Sequence, residues 1–144
     1  MDAPARSSDA HGAEALEGRS LALGAVDLAL VAGIILVGQL SHGIDPLSEP
    51  LVALETVVPF AVGWLAMAPL AGLYAPGVAA SFARALRVTT VAWVAAANVG
   101  LILRASALFD GGAAWPFPLV MTGFGLLALV GWRGAYAAYA RSRK

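Results

Sequence analysis

Residues 20–40 read SLALGAVDLALVAGIILVGQL, and this stretch decides what kind of protein the chain makes. A bilayer's hydrocarbon core is crossed by a helix of about 20 apolar residues, and buried helices of soluble proteins are usually shorter. The only ionisable side chain in the stretch is Asp27, and no polar stripe runs along it. The segment is read as a membrane span.

Working outward, three further stretches have the same character, at about residues 51–74, 86–109 and 117–139. Between them lie Ser41-His42-Gly43-Ile44-Asp45-Pro46, Ala75-Pro76-Gly77 and Asp110-Gly111-Gly112, all rich in turn formers. Short loops force consecutive spans to run antiparallel. The expected fold class is therefore all-α, an integral membrane up-down four-helix bundle over residues 20–140. Composition agrees, because 60% of the 144 residues are hydrophobic and only 12% charged, with a mean hydropathy of +0.79. Soluble domains carry about a quarter charged residues.

Residues 1–19 are polar, with Asp2, Asp9, Glu14 and Glu17 against Arg6 and Arg19. Little apolar surface is available there to offset ordering entropy, so a disordered, solvated tail is expected. The tail lacks the net positive charge of a signal peptide's first region, and the apolar run after it is too long for one. Residues 141–144 form a short basic C-terminus.

Lys and Arg set orientation. The tail has Arg6 and Arg19, the second loop region Arg84 and Arg87, and the C-terminus Arg141, Arg143 and Lys144. The first loop has none, and nothing basic follows Arg104 in the third. Both termini are expected in the cytoplasm, with the chain a multi-pass protein of the plasma membrane. Aromatic residues suit this arrangement, with Tyr74, Trp132, Tyr136 and Tyr139 at the inner ends and Phe109, Trp115 and Phe117 at the outer ends. Pro59 with Gly63-Trp64 and Pro118 with Gly123-Phe124 hint at two related hairpins. Proline near a helix start and glycine at helix contacts are common in membranes, which is the plainer account.

Asp27 is the most informative position. A charge at the centre of a span costs on the order of 2.5–3.5 kcal/mol, so such residues face the bundle and find partners. Arg133 lies at a matching depth in the fourth span, and Gly24 and Ser20 share the Asp27 face. An Asp27–Arg133 clamp between helices is preferred to a proton or ion site, because an acid beside a base is already compensated. Nearer the outer surface Glu55 and Arg104 form a second candidate pair, with an outward vestibule of His42, Asp45 and Glu49 around it. Ser41-His42 resembles part of a hydrolase triad, but adjacent side chains are expected to diverge, and a helix cap explains the string better. Asn98 is expected to hydrogen-bond across helices.

These residues together resemble the bacterial and haloarchaeal family known as domain of unknown function 3054, made of short four-helix membrane proteins. The likeness rests on Asp27, Gly38 with Ser41-His42-Gly43, Pro59-Phe60, Gly63-Trp64, Leu103-Arg104 and Gly131-Trp132-Arg133. It covers about residues 20 to 140, and the tail departs from the family's compact start. The resemblance implies the four-span topology and no activity.

Several function classes fall away. Net charge is zero and no basic nucleic-acid patch appears, so nucleic acid is not an expected partner. Without cysteine there is no disulfide or thiolate chemistry. Two histidines, one in the tail, cannot supply paired axial haem ligands or a metal cluster. No cofactor, metal or catalytic set is expected, and the chain is not read as an enzyme. The preferred reading is a non-catalytic accessory or structural membrane component. Its partners are the lipid bilayer and, through its Gly- and Ala-rich faces, a second copy or another membrane protein. The alternative is a subunit of an oligomeric transporter or channel for a small solute, proton or ion, using Asp27.

Overall fold

Apolar sequence sets where helices lie in lipid, and local chemistry sets where they stop. A computed structural model describes the backbone of residues 4–144 and the side chains of residues 8–144. It contains α1 (Pro4–Ser41), α2 (Pro50–Leu70), α3 (Phe82–Arg104) and α4 (Phe117–Ser142). All four are long and apolar enough to cross a membrane, and no strand occurs among the described residues. The protein is an all-α, up-down four-helix membrane bundle.

Each boundary has a local cause. Helix α1 ends in a Schellman turn: Ile44 N donates to Gln39 O at 3.0 Å and Gly43 N to Leu40 O at 3.1 Å. Gly43 sits at φ +80°, a conformation that favours glycine. Helix α2 starts at Pro50 and ends in the same motif, with Leu73 N on Ala68 O and Gly72 N on Pro69 O. It therefore stops at Leu70, short of the expected residue 74, because the chain turns within an apolar run. Helix α3 is shifted toward its N-terminus relative to residues 86–109. It ends at Arg104, after which the Ser106 hydroxyl takes Leu103 O at 2.6 Å and accepts Leu108 N at 3.3 Å. Serine competes with the helix ladder in this way. Helix α4 starts where expected and runs on to Ser142.

The polar tail corrects the expectation of disorder. From Pro4 onward it continues α1 as helix, and residues 8–19 are all exposed. Extending an existing helix avoids the cost of nucleation, and the alanines, glutamates and leucine of this stretch favour helix. Residues 1–3 lie outside the described part of the chain.

The helices form a ring in which α1 packs on α2 and α4, and α3 packs on the same two. The α2–α3 contact is the tightest. A Cβ on Gly63 would collide with Ala96 O, so the α2 and α3 backbones touch there. Aromatic rings fill the middle, with Trp64 and Trp93 centroids 6.2 Å apart, Phe60 and Phe117 6.0 Å apart, and Trp93 donating to Thr122 O at 2.9 Å. Helix α1 buries the smallest share of its span and α2 the largest. The loop between α2 and α3 folds back into the bundle, burying Leu73 and Val78.

Candidate functional site

Four spans place both termini at one end of the bundle, and the principal polar site lies in that half. Asp27 on α1 and Arg133 on α4 are 0% and 1% exposed, too dry for either charge to stand alone. Arg133 meets the carboxylate side-on: Nη2 donates to Oδ2 at 2.5 Å and Nε to Oδ1 at 3.0 Å. Such a forked contact is the strongest form of charged hydrogen bond available to arginine. Tyr74, on the folded-back loop, donates its hydroxyl to Asp27 Oδ2 at 2.8 Å and accepts Trp64 Nε1 of α2 at 3.2 Å. The Arg133 guanidinium also lies over the Tyr74 ring, 5.2 Å from its centroid. Gly24, one turn from Asp27, faces the Tyr74 hydroxyl.

The network therefore ties α1, α2, α4 and the loop at one point. Sequence reading placed Tyr74 at the membrane interface as an anchor and did not join it to Asp27. Burial pushes the Tyr74 hydroxyl well above its ordinary range, and the Asp27 carboxylate beside it pushes the same way. Tyr74 is thus held as a donor. Among the described residues neither Arg133 Nη1 nor the buried Thr89 Oγ1 of α3 has a hydrogen-bond partner.

The opposite end carries a second polar cluster with different members from those expected. Glu55 and Arg104 lie close enough to feel each other's charge but beyond ion-pair distance. Arg104 Nη1 donates instead to Thr56 Oγ1 at 2.7 Å, because Thr56 faces the bundle while Glu55, one residue away, is turned partly outward. Gln39 of α1 donates to the same hydroxyl at 3.2 Å and to Val52 O at 3.1 Å. The Arg104 guanidinium rests 4.8 Å from the Phe117 ring centroid. Gln39 and Thr56 were not singled out from sequence, where neutral polar residues near span ends carry little signal.

His42, Asp45 and Glu49 are exposed; Glu49 N donates to Asp45 O at 2.9 Å, but among the described residues no side-chain hydrogen bond or ion pair joins the three to Arg104 or to one another. Asp45 Oδ1 accepts Leu47 N at 3.0 Å, an Asx turn that shapes the loop. Ser41 Oγ and His42 Nδ1 come within 3.3 Å, closer than the expected divergence. Both are turned to Gly38 O, each at 2.7 Å. A ring nitrogen that close to a carbonyl is a donor, so it does not act as base toward Ser41. Asn98 is exposed and bonds Val94 O of its own helix at 2.7 Å, not a neighbouring helix.

Fold and site together define a small four-span helical membrane protein with a buried carboxylate–guanidinium pair. The chain belongs to the family described as protein of unknown function (DUF3054), whose sequence model matches residues 24–136 and so takes in both Asp27 and Arg133. Comparison with curated proteins gives no match, and neither does comparison with solved structures.

Proposed function

We propose that this protein is a non-catalytic structural or accessory component of the plasma membrane, with both termini in the cytoplasm. It acts by presenting helix faces to lipid, to a second copy or to another membrane protein. One observation carries the reading. Asp27 takes three donors, Arg133 Nε and Nη2 and the Tyr74 hydroxyl, across both of its oxygens. A transport carboxylate must bind and release a proton or cation, which needs a partner it can leave. Asp27 is held instead by a forked contact from an arginine buried with it and by a tyrosine hydroxyl. The pair also fixes α1, the helix with least packing of its own. The clamp leaves most of the α1 surface for lipid or a partner.

The competing reading makes the chain a subunit of an oligomeric transporter or channel. Proteoliposomes with an enclosed pH-sensitive dye separate the two. The purified protein should give no proton flux above empty vesicles under an imposed potential, and no response to sodium or potassium gradients. A flux lost in Asp27→Asn, with the fold intact by thermal melt, makes the protein a coupled transporter.

A further inference from the structure

The end of the bundle that bears the termini is divided by charge. Helices α3 and α4 contain no aspartate or glutamate, and the acids at this end lie on the α1 extension, at Asp9, Glu14 and Glu17. Arg84 and Arg87 open α3, and Arg141, Arg143 and Lys144 close the chain after α4, all exposed. The two clusters adjoin. Gly134 of α4 packs against Leu86 and Phe82 of α3, and Arg141 lines a shallow pocket with residues 80–83. Among the described residues none of the five cations has a carboxylate within ion-pair distance. Arg87 Nε reaches only Ala83 O at 3.4 Å, and Arg143 lies over the Tyr139 ring.

We propose that this α3–α4 edge binds the phosphodiester headgroup of an anionic phospholipid. Five cations at the adjoining ends of α3 and α4, with Arg84 reaching toward Gly77 of the neighbouring loop, complement a negative headgroup, and guanidinium groups match phosphate oxygens with forked hydrogen bonds. The site lies where spans leave the membrane, so its ligand arrives with acyl chains. Phe82 and Tyr139, 43% and 54% exposed, flank the cations with apolar wall for those chains. A soluble anion has no use for that wall. The site holds whichever side of the membrane this end faces, and it does not rest on the accessory-component reading.

Native mass spectrometry of the full chain in mild detergent, with phosphatidylglycerol or phosphatidylcholine of matched tails, tests this. Phosphatidylglycerol should be retained in preference to phosphatidylcholine. Arg84→Gln combined with Arg141→Gln should weaken that retention roughly tenfold or more. Arg6→Gln combined with Arg19→Gln, which removes as much charge from the α1 extension, should leave it unchanged. Equal retention of the two lipids overturns the proposal, as does wild-type binding by the α3–α4 variant. An equal loss in both double variants also overturns it, because it means diffuse attraction and no site. Inorganic phosphate should fail to displace phosphatidylglycerol, and displacement would mark a site for free anions instead.

Discussion

Asp27 stands out in the sequence because a lone acid in an apolar span must have a partner, and Arg133 is the base at its depth. Tyr74 does not stand out, because its place depends on the turn at Gly72, which sends an apolar loop back into the bundle. Nothing in the local pattern distinguishes that from a helix running on to an interfacial tyrosine. At the cluster on the far end from the termini the sequence marks Arg104, while Thr56 in place of Glu55 is a matter of helical phase at one residue's resolution. The buried pair carries a quantitative consequence. Asp27→Asn leaves Arg133 without its counter-charge, a loss that costs about 3–5 kcal/mol when both partners are dry. Arg133→Leu should cost a similar amount, and Asp27→Asn combined with Arg133→Leu much less than the sum, since no unpaired charge remains. Reversible unfolding in detergent measures all three. Additive costs would mean the two side chains do not interact.

Span count and order were legible in hydropathy, and helix ends were not. Hydropathy reports the solvent around a residue, whereas a helix stops where a glycine reaches positive φ or a serine takes a carbonyl. Residues 71–74 are apolar and lie beyond the end of α2, and residues 4–19 are polar and lie inside α1. Helix contacts follow side-chain size at single positions. Gly63 meets Ala96 O with no room for a methyl group, whereas Gly123 of α4 has nothing within 4 Å of its would-be Cβ. Gly63→Ala must push α2 and α3 apart at their tightest contact, and overpacking of this kind costs about 1–3 kcal/mol. Gly123→Ala should be neutral or slightly stabilising, as expected for a lipid-facing helix position. Thermal melts of the two variants side by side give the comparison. Equal melting temperatures would show that α2 and α3 are not in backbone contact at Gly63.

Over the whole molecule, a zero net charge conceals a strong separation. In sequence, the N-terminal tail, the start of α3 and the C-terminus hold seven of the nine basic residues against four acids, Asp2, Asp9, Glu14 and Glu17, for a net of +3. The far end holds Asp45, Glu49, Glu55 and Asp110 against Arg104 alone, for a net of −3, while Asp27 and Arg133 cancel between them. Because Lys and Arg resist translocation, the proposed orientation keeps the end with seven bases in the cytoplasm. The chain has no cysteine, so single cysteines report position without background. Leu47, 92% exposed, and exposed Ala114 mark the far end, while exposed Ala83 and Ser142 mark the other. Ala114 is a better site than Gly112, whose φ of +62° disfavours any side chain. Cysteines at 47 and 114 should react with an impermeant thiol reagent in intact cells, and those at 83 and 142 only after permeabilisation. Labelling at 83 and 142 in intact cells, with 47 and 114 protected, would invert the topology and place the basic α3–α4 edge at the outer leaflet.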